Sequence, residues 1–280
     1  MAEFARQRRV LVKVGGETCK DPADRQRLAR DLQQVVASGA QLCVVHGAGP
    51  QITELGKQLG LASVFRGGRR VTDAPMLQAA AMAMTGQVGA ELLAACLAQG
   101  VAAVSTPAAS AGLVVGKKRP PKPVPGEEEL VDFGLVADVA EVRPQLLEAL
   151  WGAGLVPLLS SLVCDQAGQL LNLNADTLVT ALVQALHVDD VILVTGVPGV
   201  YRDLADPATH LPDLSADELP GLISSGAVQG GMVAKLEEVG AILKKGAQRV
   251  ALVGYQQEQA IALALSGGPG IRTVVRRSPA

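Results

Sequence analysis

A chain of 280 residues with 49% hydrophobic but only 2% aromatic residues can bury a large core, which must be built from Ala, Val and Leu. Its net charge of −2 gives no electrostatic case for nucleic acid or an acidic membrane surface as a partner. Cys19, Cys43, Cys96 and Cys164 are scattered without a CxxC pair, the start Met1–Arg9 is too polar for a signal peptide, and no run reaches the roughly 18 apolar residues of a membrane span. Zinc, a disulfide framework and membrane insertion are thereby disfavoured, and a soluble cytoplasmic chain is expected.

The first strand is Arg9–Val14, an apolar run closed by Gly15-Gly16. Leu28, Leu32, Val35 and Val36 mark one face of a helix over Asp24–Ala37. A buried strand, Leu42–Val45, then leads into His46-Gly47-Ala48-Gly49-Pro50 and a helix over Gln51–Leu59. Strand–helix–strand–glycine loop–helix is the βαβ pattern of a mostly parallel sheet covered on both faces, with ligands at the carboxyl ends of its strands. Phe65–Asp73 reads as a turn followed by a helix capped by Thr72 or Asp73, with helical periodicity over Leu77–Met84 and Val88–Leu97. After the strand Val101–Ser105, the proline-rich stretch Thr106–Glu129 reads as a surface excursion with a hairpin at Leu113–Val115. The cluster Lys117-Lys118-Arg119 with Lys122 sits in it as a solvated loop.

Order resumes with the β-rich stretch Val131–Val142, a helix over Pro144–Ala153, the strand Leu155–Ser160 and a turn at Asp165–Gly168. Leu171-Asn172-Leu173-Asn174-Ala175-Asp176 runs into an apolar helix, Thr177–Leu186. The alternation then repeats: strand Val191–Val194 before Thr195-Gly196-Val197-Pro198-Gly199, helix Ala216–Ser224, helix Met232–Lys245, strand Arg249–Val253, helix Glu258–Leu265 and strand Thr273–Val275. No internal repeat or linker splits the chain. The expected fold is α/β, a three-layer αβα sandwich around a mostly parallel open sheet. It forms one domain of two lobes, roughly residues 1–175 and 176–280.

Two lysine–diglycine elements stand out. Lys13 precedes Gly15-Gly16 at a strand end, and Lys235 falls in the first turn of the helix that Gly230-Gly231-Met232 opens. Glycines admit close approach of a ligand to the backbone, and helix-opening N–H groups attract anions, so both elements suit phosphate. Taken singly, Lys13 reads as a strand-end lysine in solvent and Asp176 as a plain helix cap. The P-loop string is absent. The Rossmann fingerprint also fails, since its third glycine would fall on Ile52.

Together, Lys13-x-Gly-Gly, His46-Gly-x-Gly-Pro, Gly68-x-Arg70-Val-Thr-Asp, Asn172-x-Asn174-Ala-Asp176 and Gly230-Gly-Met-x-x-Lys235 resemble the amino acid kinase family from Val10 to Val275. Within it they resemble the branch acting on N-acetyl-L-glutamate. The resemblance implies phosphoryl transfer from ATP, with Mg²⁺, to the side-chain carboxylate of that amino acid. Lys13 and Lys235 would flank the phosphoryl group and Asp176 would hold both ammonium groups. Arg70 would pair with a substrate carboxylate, Asn172 would hydrogen-bond the substrate, and Gly47 and Ala48 would back onto it. Gly15 and Gly16, the strand end Thr195–Val200 (Thr195, Gly196, Val197, Gly199 and Val200) and the turn Gly230, Gly231 and Met232 would form the nucleotide side.

No histidine or metal-binding side chain takes a role, and His46 reads as a packed, hydrogen-bonded residue. Ala48 and Gly196 stand where the family carries glycine and aspartate, and Thr106–Ser110 replaces a glycine-rich turn. A related acidic amino acid, such as a lysine-pathway aminoadipate derivative, and a non-catalytic ligand-binding regulator are the alternative readings. Only Met1–Arg8 precede the first strand, where arginine-inhibited hexameric members carry an extra helix. A homodimer insensitive to arginine is therefore expected.

Overall fold

β1 (Arg9–Val14) lies at the middle of an eight-stranded sheet because it is apolar on both sides. Val10, Val12 and Val14 enter one core and Leu11 the other. The structure is a computed structural model and describes residues 6–278. After β1 come α1 (Pro22–Ala37), whose Asp21 cap accepts from the Ala23 N–H, β2 (Gln41–His46) and α2 (Gly49–Gln58). A hairpin follows, β3 (Phe65–Arg66) and β4 (Arg69–Arg70), where the sequence suggested only a turn. Gly67 and Gly68 both take positive φ, 51° and 73°, as a tight two-residue hairpin demands.

Asp73 then caps α3 (Ala74–Ala81), accepting from the Met76 N–H at 2.8 Å. A π-helical segment, Met82–Val88, joins α3 to α4 (Gly89–Ala98). The two expected helices are thus one helix, Ala74–Ala98, long and apolar enough by length and composition to cross a membrane. In this fold the helix packs against α1, α2 and β5 (Ala103–Pro107), with Leu77, Ala80, Val88, Leu92 and Cys96 in the core.

β6 (Val114–Lys118) and β7 (Ala137–Val142) pair antiparallel, so the expected hairpin at Leu113–Val115 is a strand start whose partner lies beyond the proline-rich stretch. Nor is that stretch a surface excursion throughout. Arg119 is buried, and a side chain at Gly67 would meet Val124 at 2.7 Å, so the stretch packs over the β3–β4 hairpin. Then follow α5 (Gln145–Gly152), β8 (Val156–Ser160), β9 (Leu162–Cys164), β10 (Leu170–Asn172), α6 (Ala175–Leu186), β11 (Asp190–Thr195) and β12 (Val200–Tyr201). The chain ends with β13 (His210–Leu211), β14 (Asp213–Ser215), α7 (Leu219–Ser224), α8 (Gly231–Lys244), β15 (Arg249–Gly254), α9 (Ala260–Ser266) and β16 (Arg272–Arg276).

The main sheet has the order β14-β16-β15-β11-β1-β2-β8-β5, and every neighbouring pair is parallel except β15 with β16. One core lies between it and α1, α2, α3–α4 and α9; the other is closed by α5, α6, α7 and α8. This is the expected three-layer α/β sandwich around a mostly parallel open sheet. A smaller sheet, β10-β9-β6-β7, stands beside it. β1 pairs with β2 on one side and β11 on the other, so the main sheet runs unbroken past position 175.

Candidate functional site

β1, β2, β8, β11 and β15 run in parallel, so their carboxyl ends, Val14, His46, Ser160, Thr195 and Gly254, fall on one edge of the sheet. The loops leaving that edge carry most of the residues singled out in the sequence. Lys13, Gly15, Thr195, Gly196, Val197, Gly231, Met232 and Lys235 line one cavity of about 910 Å³. Both tyrosines of the chain, Tyr201 and Tyr255, also line it. Gly47, Ala48, Arg70 and Asn172 line a second, smaller cavity of about 220 Å³.

Lys13 forms an ion pair with Asp176 at 2.5 Å and lies 3.9 Å from Glu238. Asp176 is not the cap of α6: Asn174 is, its side chain accepting from the Asp176 and Thr177 N–H groups at 2.6 and 3.3 Å. The Asp176 carboxylate is thereby left to face β1. Among the described residues no carboxylate lies within 4.0 Å of the Lys235 ammonium, so Asp176 contacts one lysine of the clamp and not both. Burial works to lower the Lys13 pKa, but Asp176 and Glu238 outweigh it and hold the group above its ordinary value. Burial and the Lys13 charge push Lys235 down, against Glu238 and Asp176. Burial likewise raises the Glu238 carboxyl to about 7, and Asp176 adds to the rise while Lys13 opposes it.

Arg70 is held before any ligand arrives. Its Nη1 donates to Ser63 Oγ at 2.6 Å, its Nη2 to Thr53 Oγ1 and Gly49 O at 2.8 and 3.1 Å, and its guanidinium rests on the Phe65 ring at 4.6 Å. A bidentate pair with a carboxylate therefore requires it to release Thr53 or Gly49. Asn172 donates to Thr72 Oγ1 at 3.2 Å. The Gly47 N–H donates to Val14 O at 2.9 Å. Ala48 is almost wholly buried within the first core.

On the nucleotide side, Gly199 and Val200 do not line the large cavity. Val200 is buried and its N–H donates to Thr273 Oγ1 at 2.7 Å, while a side chain at Gly199 would meet His210 at 2.7 Å. They form the wall behind the loop. Gly230 precedes α8 with φ 56°, turning the chain into the helix without lining that cavity. Gly16 likewise lies outside the cavity lining, pressed against the start of α2.

Two site residues were missed in the sequence. Glu238 lies three residues after Lys235 on α8, a spacing that puts both on one face. Arg119 came from a supposed solvent loop, yet it lines the smaller cavity and donates to Asp138 at 2.9 Å and to Ala137 O at 3.3 Å. His46 is fully buried, and neither ring nitrogen has a hydrogen-bond partner among the described residues. Burial lowers its pKa to about 4, so it is neutral at physiological pH, packed but not hydrogen-bonded as expected.

A parallel sheet with two lysines and an aspartate on its carboxyl edge, and no P-loop, defines a phosphate-handling α/β protein of the amino acid kinase kind. The chain belongs to the amino acid kinase family, whose profile matches residues 8–254. It is similar to the acetylglutamate kinase of Anaeromyxobacter dehalogenans strain 2CP-C, 40% identical over 246 residues that cover 88% of this chain and 91% of that protein. It is also similar to the acetylglutamate kinase of Sorangium cellulosum strain So ce56, 39% identical over 95% of this chain and 94% of that one. Among solved structures, the N-acetylglutamate synthase of Neisseria gonorrhoeae in complex with coenzyme A and N-acetyl-glutamate shares the fold, with TM-score 0.82 and 20% identity over 98% of this chain and 61% of that chain. So does the carbamate kinase of Giardia lamblia bound to AMP-PNP, with TM-score 0.70 and 15% identity over 97% and 99%.

Proposed function

We propose that this chain transfers the γ-phosphoryl group of ATP to the side-chain carboxylate of N-acetyl-L-glutamate. The products are N-acetyl-L-glutamyl 5-phosphate and ADP, in arginine biosynthesis. The observation that carries the reading is the 39–40% identity to acetylglutamate kinases across 88–95% of the chain. The geometry supports it, because two cavities of unequal size open on one sheet edge and the large one holds both lysines. The larger suits a nucleotide, and the smaller, with Arg70 and Asn172, suits a short dicarboxylate.

A side-chain carboxylate of pKa about 4.3 is ionised at neutral pH, so its attack needs no general base. The obstacle is the meeting of two anions, and catalysis is then positioning plus stabilisation of charge on the phosphoryl oxygens. Lys13 and Lys235 supply that charge from opposite ends of the chain, with Asp176 fixing Lys13. Arg70 binds a carboxylate of the acceptor and Asn172 orients it. Among the described residues no three His, Cys, Asp or Glu side chains converge, and the reading places Mg²⁺ on the nucleotide phosphates, where it would supply further positive charge.

A cytoplasmic homodimer completes the proposal, supported by exposed apolar residues, Met82 and Leu97, on the free side of the helix Ala74–Ala98. Light scattering after gel filtration tests the dimer, and a monomer or hexamer would refute it. The reaction is tested with hydroxylamine as an acyl-phosphate trap, using MgATP and acetylglutamate, glutamate, aspartate or aminoadipate. Hydroxamate from acetylglutamate above the others is expected; none from it overturns the assignment.

A further inference from the structure

Glu238 has no part in the reaction described so far, yet it is built into the clamp. Its side chain is only 10% exposed, its Oε1 lies 3.9 Å from the Lys13 ammonium, and Asp176 Oδ1 lies 2.5 Å from the same ammonium, so the two carboxyls meet around it. Oε1 is buried with no hydrogen-bond donor among the described residues. A buried carboxylate oxygen without a donor calls for an explanation, and two facing carboxyls that hold one proton between them supply it.

We infer that Glu238 is a positioning residue that shares one proton with Asp176 and so keeps the Lys13–Lys235 clamp cationic when nucleotide binds. This rests on the proposed kinase reading for its purpose, though not for its existence. With the proton present, Lys13 and Lys235 face one negative charge, Asp176, and the site carries a net positive charge for an incoming polyphosphate. Once the proton leaves to solvent, two carboxylates cancel two ammonium groups and the clamp loses its net attraction. A group held near pH 7 before ligand binding is pushed further up by bound phosphate charge, so nucleotide binding and proton uptake reinforce each other.

The charged groups acting on Glu238 are Lys13 on β1, Asp176 on α6 and Lys235 on its own helix. α7, which also packs on α8, has no ionisable residue, and the only one on β15, Arg249, is paired with Asp190 at 2.6 Å. In the groove beside Glu238, Thr177, Thr180 and Gln184 of α6 are uncharged, while Arg69 of β4, Glu141 of β7, Glu237 of α8 and Lys245 just after α8 line its further reach.

Two measurements test this. The first uses the ligand-free protein: infrared difference spectra between pH 6.5 and pH 9 should show a protonated-carboxyl band that disappears on raising the pH and is missing in Glu238→Gln. The second is calorimetry of MgADP binding at pH 8 in buffers of different ionisation enthalpy. Wild type should take up a large fraction of one proton and Glu238→Gln almost none, with Glu238→Ala binding MgADP more weakly than the Gln variant at pH 6.5. In turnover assays the apparent second-order constant for MgATP should fall about tenfold from pH 7 to pH 9 in wild type and less than about twofold in Glu238→Gln. Equal proton uptake in wild type and Gln variant, or no such band in wild type, overturns the inference. Because neither of the first two readouts involves the acceptor amino acid, they stand even if the acceptor is misassigned.

Discussion

Gly16→Ala should cripple the enzyme while Gly15→Ala, one residue away, should leave the fold intact. A Cβ at Gly16 would meet Pro50 Cδ and Gln51 Oε1 at 2.8 Å and the Gly49 backbone nitrogen at 3.0 Å. Ordinary carbon contacts lie at roughly 3.5–4.0 Å, so the deficit is about 0.5–1.2 Å. Only Gln51 could swing aside, and its Nε2 is tied to Gly16 O at 2.8 Å. Pro50 and Gly49 begin α2, so the start of that helix must move away from β1 by most of the deficit. Overpacking of this kind costs about 1–3 kcal/mol of stability. The larger effect is on the site. Gly49 O and Thr53 of α2 hold Arg70, and the loop before α2 lines the acceptor cavity, so the shift separates acceptor from phosphoryl donor. A misplacement near 1 Å can cost on the order of 100-fold in rate. A Cβ at Gly15 meets nothing within 4 Å, so Gly15→Ala should keep the parental Tm. Steady-state kinetics for both substrates together with thermal denaturation would read this out. A Gly16→Ala protein with parental kcat/KM and Tm would refute the packing argument.

Lys235→Ala should lower kcat by about 10²–10³-fold, whereas Arg70→Ala should mainly raise KM for the acceptor; steady-state kinetics would show the opposite pattern if the two cavities have been exchanged. Asp31→Ala should cost about 2–4 kcal/mol in a denaturant titration, because its buried carboxylate accepts from the Ile261 and Ala262 N–H groups at 2.6 and 2.9 Å and would leave both unpaired. Glu238→Gln should stabilise the fold at alkaline pH. A carboxyl raised from 4.5 to about 7 on folding contributes stability that is full below pH 4.5 and lost as pH rises through 7, which comes to about 3 kcal/mol by pH 8. The Tm of the variant should exceed that of wild type at pH 8 and approach it at pH 5; a gap independent of pH would count against the raised carboxyl.

The central sheet was legible because its strands are continuous apolar runs closed by glycine or by a site residue. β1, β2, β11 and β15 are each buried on both faces, which is what such runs require. Where the sequence misled, the cause was lost phase or lost locality. The helix Ala74–Ala98 looked like two helices because its π-helical segment shifts the apolar stripe out of step while the backbone continues. β6 could not be matched with β7 because antiparallel pairing across the proline-rich stretch leaves no periodic trace in either strand. The Gly67-Gly68 hairpin was visible as a turn, but strands of two residues are too short to show alternation.

The site divides along a different line. Residues whose chemistry depends on a backbone feature, such as Lys13 beside its diglycine and Lys235 at a helix start, announce themselves locally. Arg119 and Glu238 do not, because a charge is buried only when a partner distant in sequence compensates it. Asp138 pairs with Arg119 from 19 residues away, and Lys13 faces Glu238 from across the chain. Charge runs are solvated often enough that Arg119 was assigned to water by default, and Glu238 drew no reading at all. For Glu238 a local sign existed: an acid one turn after a phosphate-directed lysine must lie on the same helix face. Since Lys235 has to face β1 to meet Lys13, Glu238 had to face it too. A carboxylate so placed must either weaken the clamp or carry a proton, and the second alternative is the one that lets the same residue persist in a site for two anions.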